Sequence, residues 1–280
     1  MAISALILSS VDEQIKMLSV APQILPKLQT LIEDANTNPD DILDLIRLDT
    51  AMTARMIRTS NTAYFSPGFR INNVEDAVTY LGYDEVYRIV SLLAFAQIMR
   101  APLRSFGLGP GELWRRSLAC ALAMNGLAPL LVQGEKRTAY TIGLLHSVGM
   151  VFVDKQLSAN KAPLPTGPVD EREVRLLGVT HAEVGAYVLR QWNFPEEIVE
   201  PVRCQFEPLD CLAHGKLACL LHVARCIMQA ILTPPKEGEP VPEPDALVCT
   251  MLNLPMDEYH EILQETEGKF TLLEIATSDL

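Results

Sequence analysis

The residues TIGLLHSVGM (141–150) place one histidine, His146, inside an otherwise apolar run. Histidine is the commonest metal ligand and general base, so each of the five in this chain (His146, His181, His214, His222 and His260) is a candidate for chemistry. A buried histidine bonded to a backbone carbonyl is the plainer account of His146, given its neighbours. His181 opens THAE (180–183), where Thr180 as N-cap and Glu183 three residues on form a capping box, so it has a structural use at the first helical position. Cys219, His222 and Cys226 are spaced three and four apart and share one helix face. They could seed a zinc site, although a metal wants a fourth ligand and small thiols are common on buried faces. No GxSxG elbow, Walker loop or dinucleotide glycine fingerprint occurs, and no local signature marks a Cys–His dyad.

The elements that must position these groups read as helices. Ile24, Leu25, Leu28, Leu31 and Ile32 line one helical face, and NPDDILDLIRLD (38–49) opens with Pro39 and two first-turn aspartates. Residues 72–99 read as one helix ending at Gly82 and a second starting near Asp84. The Gly- and Pro-rich APLRSFGLGPGE (101–112) marks a boundary. Long helices are expected over 112–132, 135–156 and 211–232. KAPLPTGP (161–168) is expected as a loop, and FPEEIVEPV (194–202) as a helix starting at Pro195. TPPKEGEPVPEPD (233–245) is an extended connector, and two short helices follow over 246–270. No segment alternates as a strand does. The fold class is therefore all-α with two helical subdomains: an N-terminal small helix bundle over 1–100, a second helical subdomain over 101–232, and a connector with C-terminal helices over 233–280.

Composition bounds the function. The formal net charge of −12 argues against a protein that grips phosphate backbones, and the acidic residues of 38–60 and 72–99 argue against a helix-turn-helix there. The apolar runs 89–99 and 118–132 fall short of a bilayer span, and the N-terminus lacks the pattern of a secretory signal. Six cysteines without CxxC pairs read as free thiols in a reducing, cytoplasmic setting. No nucleic acid and no membrane partner is expected, and no cofactor.

The series LWRRSLACA (113–121), GLLHSVGM (143–150), THAEVGAYVLRQWNFPEEIVEPVRCQ (180–205) and KLACLLHVARCIM (216–228) resembles the HD superfamily of metal-dependent phosphohydrolases. It more closely resembles their divergent bacterial branch, the HDOD (HD-related output) domain, whose first half is matched by VAPQILPKLQTLI, DDILDLIRLDTAMTARMIRTSNTAYFS and INNVEDAVTYLGYDEVYRIVSLLAFAQ. The likeness covers about residues 18–230 and implies an HD-like bundle for the second subdomain. Carried over by position, it implies that Arg116 stands where an HD enzyme has its first histidine and that His146 matches the histidine of the HD pair. Ser147 stands in place of the aspartate. His181 matches the histidine opening HxxVG, Cys204 and Gln205 replace a paired histidine, and Arg225 replaces the last aspartate. Arginine has no lone pair to donate and serine is a poor substitute for a bridging carboxylate, so the expectation is a lost metal site, with no catalytic and no metal-binding residues. Arg116, His146, Ser147, His181 and Arg225 would instead form a degenerate site able to take an anion, because guanidinium groups match phosphate oxygens in bidentate fashion. The competing account is that each arginine pairs with a local carboxylate or points into solvent.

The resemblance implies a non-catalytic, regulatory role in bacterial signal transduction. The module would act in trans on a signalling protein partner, or through a small phosphate-containing ligand. A residual metal-dependent phosphohydrolase using His146 and His181 is the alternative.

Overall fold

In a computed structural model the described residues are 5–17, 24–34, 36–66, 68–130, 135–159, 167–235 and 240–277. They are all-α, with no strand among them. The helices are α1 (Ala5–Met17), α2 (Ile24–Glu33), α3 (Pro39–Arg47), α4 (Thr50–Ser60), α5 (Val74–Met99), α6 (Glu112–Leu127), α7 (Lys136–Leu145), α8 (Gly149–Ala159), α9 (Val169–Leu177), α10 (His181–Gln191), α11 (Glu196–Arg203), α12 (Gly215–Leu232), α13 (Ala246–Leu252) and α14 (Met256–Ala276). Contacts group the chain into two compact units: Ser19–Gln97 with Lys269–Leu280, and Met1–Leu18 with Ile98–Gly268. The N-terminal helix thus groups with the chain's second half. Tyr187 donates to Asp12 at 2.7 Å, and Gln156 donates to Ser10.

In the unit built on Ser19–Gln97, local rules account for the helix ends. The Asn38 side chain accepts from the Asp40 amide, Pro39 takes the first helical position and Asp49 caps α4. Gly82, at φ 80° and ψ 170°, breaks the residues 74–99 into two helical segments, as the Gly82 boundary predicts. Leu25, Leu28, Ile42, Ile46, Met52 and Met56 are fully or nearly fully buried and form this unit's interior.

The other unit carries every candidate residue. Its centre is α6, packed against α7 and α12, with α10 packed against α8 and α11. Two glycines permit the closest approaches. A Cβ on Gly143 of α7 would stand 2.7 Å from the Ala121 Cα of α6, and one on Gly149 would stand 1.9 Å from the His181 carbonyl oxygen. α12 is long and apolar enough to cross a membrane by composition, but more than half of it is buried inside the protein, as befits a core helix.

Three sequence expectations need correction, and one helix was not foreseen. The single helix over 135–156 is two, because the chain turns at residues 146–148, where the His146 ring bonds back to the Gly143 carbonyl and Gly149 abuts α10. The helix expected from 211 begins at Gly215, after a 3-10 turn at Pro208–Asp210 and a further turn. The last helix runs on to Ala276 instead of stopping near 270. Helix α9 had no sequence expectation at all. Most of the expected loop 161–168, and residues 236–239 of the connector, lie outside the described residues.

Gly149→Ala should destabilise the protein by about 3 kcal/mol or more, because a fixed backbone oxygen occupies the methyl's place. Gly268→Ala, whose Cβ meets nothing within 4 Å, should shift stability by no more than about 1 kcal/mol. Urea unfolding of the two variants checks the contrast.

Candidate functional site

Arg116, His146, Ser147, His181 and Arg225 line one cavity of about 210 Å³. The chain brings them there from different elements: Arg116 from α6, His146 and Ser147 from the turn joining α7 to α8, His181 from the first position of α10, and Arg225 from the middle of α12. Two residues beyond the five expected to form the degenerate site complete it. Arg172 of α9 is a third guanidinium on the cavity wall, and Gln205, just beyond α11, lines it with its side chain. Cys204, its sequence neighbour, borders a different pocket with Glu183, Glu207 and Asp210.

His146 is 2 % exposed, and its Nδ1–H donates to the Gly143 carbonyl at 2.8 Å. Nε2 therefore keeps the lone pair. Burial, and then the nearby Arg225 charge, push its pKa down to about 3, so the ring is neutral at physiological pH. His181 is held differently. Its ring Nδ1 lies 2.8 Å from Oε1 of Glu173, whose Oε2 accepts the His181 backbone N–H at 2.8 Å. Glu173 is 1 % exposed, so one buried carboxylate of α9 fixes both the start of α10 and the plane of the imidazole. Phe206 meets the same ring edge-on at 5.2 Å. The capping box of Thr180 and Glu183 forms as its spacing predicts.

Arg225 is half-buried and makes no ion pair among the described residues, although the charge of Asp170 reaches it. Its Nη1 donates to the Gln205 backbone carbonyl at 2.6 Å, and its guanidinium lies 4.8 Å over the Phe206 ring. Burial lowers its pKa from the ordinary arginine value, yet arginine remains protonated in proteins. Arg116 shows neither a hydrogen bond nor an ion pair within the described residues. Among the described residues neither guanidinium is paired with a carboxylate, and both arginines remain partly exposed. Gln205 is fully buried, and its Nε2 donates to the carbonyls of His146 (2.8 Å) and Val202 (3.1 Å). Its Oε1 and the Arg172 Nε are buried without a hydrogen-bond partner. Arg116 and Arg225 also border a second cavity of about 420 Å³ with His222 and Cys226.

The donor set does not fit a divalent cation. Three guanidinium groups line the cavity, no Asp or Glu is among its lining residues, and Ser147 supplies only a neutral hydroxyl. Among the described residues no three His, Cys, Asp or Glu side chains converge as a metal site. The zinc arrangement weighed for Cys219, His222 and Cys226 is not assembled. Cys219 is fully buried, His222 Nε2 accepts the Asp245 backbone N–H at 3.2 Å, and burial pushes the Cys226 thiol up to about 11.

The all-α fold can be set beside known proteins. A model of the HDOD domain matches residues 18–208, more than half of the chain; the chain belongs to the HDOD family. It is similar to a provisionally named phosphohydrolase of Shewanella amazonensis SB2B, with 22% identity, 98% of both chains covered and a TM-score of 0.71. It is also similar to an HDOD domain protein of unknown function from Geobacter sulfurreducens, with 22% identity, 97% of this chain and 93% of that one covered and a TM-score of 0.64. A protein of Treponema pallidum (strain Nichols) without an assigned function is 25% identical over 203 residues, or 70% of this chain. The chain spans only 39% of the length of that relative.

Two signals in the sequence point to the missed residues. Pro168 before VDEREVRLL and Gly178 after it are start and stop marks for a helix, and that helix brings Arg172 and Glu173 to the site. For Gln205 the sign is the paired-histidine position that it shares with Cys204; which of the two lines the cavity is decided by the fold.

The His146 environment sets a pH dependence. The imidazole protonates near the ordinary 6.5 when unfolded but only at about 3 when folded, so the unfolded chain binds more protons between these values. Stability is therefore undiminished above pH 6.5 and is lost progressively as pH falls toward 3. From pH 6.5 to 5 the loss from this residue should be about 2 kcal/mol. Urea titrations at the two pH values should show a smaller loss for His146→Gln than for the wild type.

Proposed function

We propose that this HDOD chain is a non-catalytic module of bacterial signal transduction. Its cavity holds a small phosphate-containing ligand, and the liganded state sets its affinity for a protein partner acting in trans in the cytoplasm. The observation that carries this reading is the set of guanidinium groups of Arg116, Arg172 and Arg225 on one cavity whose lining residues include no carboxylate.

Cations gathered at the wall of a partly enclosed space repel one another and have lost part of their hydration, so an anion there is favoured more strongly than at an open surface. Phosphate suits the geometry because guanidinium donors come in planar pairs that meet two of its oxygens together. Hydrolysis of a phosphoester in an HD-type bundle would require metal-bound water, and this cavity offers no carboxylate to hold the ion. Binding without turnover is the function left to it. The provisional phosphohydrolase name of the Shewanella relative describes that protein, and identity of 22% carries the fold alone to this chain.

Calorimetric titration with inorganic phosphate and with an adenine nucleotide tests the reading. At least one should bind, and Arg116→Ala together with Arg225→Ala should weaken it by about tenfold or more, the cost of losing a charged hydrogen bond. Arg116→Ala alone serves as the milder variant, since the wild-type side chain holds no partner within the described fold. Unchanged affinity in the double variant would exclude the cavity as the ligand site.

A further inference from the structure

Two of the residues on the cavity wall, Gln205 and His146, carry acceptors as well as the donors described above. Gln205 Oε1 is a fully buried acceptor without a partner, and the orientation of its amide is settled, because the other end of the group donates to the carbonyls of His146 and Val202. The neutral His146 ring adds a second acceptor: with Nδ1–H given to the Gly143 carbonyl, Nε2 has only a lone pair to offer. The unpartnered Nε of Arg172 stands among the donors. A ligand that satisfies all of these groups must accept hydrogen bonds from guanidinium and donate at least one of its own.

We propose that the cavity is a selective site for a doubly charged oxyanion that still carries a proton, inorganic hydrogen phosphate, with Gln205 as the residue that reads the proton. The inference rests on the anion-site reading above and goes further by naming the ligand. Sulfate has the same shape and charge as hydrogen phosphate but no proton at neutral pH. Its oxygens would face the Gln205 carbonyl oxygen acceptor to acceptor. A phosphate monoester, whose second pKa is about 6, has largely lost its proton at pH 7 and meets the same repulsion. Bicarbonate keeps a proton but carries too little charge for three guanidinium groups. The size agrees, because about 210 Å³ lies below the roughly 300–1,000 Å³ of pockets that enclose a whole drug-sized molecule.

The discriminating experiment is a calorimetric titration of the full chain at pH 7 with phosphate, arsenate, sulfate and methyl phosphate. Phosphate and arsenate should bind at least about tenfold more tightly than sulfate or the ester, since a buried acceptor left facing another acceptor forfeits a whole hydrogen bond. In Gln205→Met, a side chain of similar length without the acceptor, the preference for phosphate over sulfate should fall to parity. Sulfate or the ester binding as tightly as phosphate would overturn the inference while leaving an anion site in place. Phosphate selectivity persisting in a folded Gln205→Met would overturn the role of Gln205. Should that variant fail to fold, the wild-type comparison of the ions still decides. Failure of every anion to bind would instead overturn the anion-site reading itself.

Discussion

A guanidinium group cannot shed its charge when it is carried into a protein, and that constraint governs this site. Arg225 enters the cavity on α12 and is met by dipoles and a ring face, not by a carboxylate: the Gln205 carbonyl at 2.6 Å and the Phe206 ring at 4.8 Å. A carbonyl and an aromatic face temper a positive charge without cancelling it. Arg116 and Arg172 add to it. The neutrality of His146 follows in part from that field, and so does the poor fit of any divalent cation. One arginine, held by the residue that also anchors the His146 backbone, ties the cavity's electrostatics to the turn between α7 and α8.

That turn shows how packing and chemistry are joined here. Gly143 lets α7 lie against α6, and Gly149 lets α8 begin against the His181 carbonyl, so the histidine between them has little room to move. Its ring bonds back within its own helix end, and its carbonyl receives the buried Gln205 amide. On the far side the buried Glu173 carboxylate fixes His181 through both ring and backbone. His146 and His181 are therefore each held at Nδ1.

Much of the fold was legible because it is written in local rules. Asn38 and Pro39 start α3, Gly82 breaks α5, and Thr180 with Glu183 caps α10, each by interactions a few residues long. The continuous helix expected over 135–156 is interrupted because Gly149 meets a neighbouring helix, which periodicity cannot register. The site was legible to the same degree. Motif order placed Arg116, His146, Ser147, His181 and Arg225, and these do share one cavity. Arg172 and Glu173 were missed with α9, whose start and stop marks at Pro168 and Gly178 went unread, and the part of Gln205 could not be read because it rests on the His146 carbonyl, far away in sequence.

Membership of the HDOD family accounts for the bundle, and the arginine-lined cavity without a carboxylate among its lining residues carries the proposed role. The most direct measurement is elemental analysis of the intact protein, purified without chelator and then offered iron, manganese and zinc. The account predicts metal well below one ion per chain after each incubation, with no cleavage of a phosphodiester. One tightly held transition-metal ion per chain, accompanied by such cleavage, would contradict it.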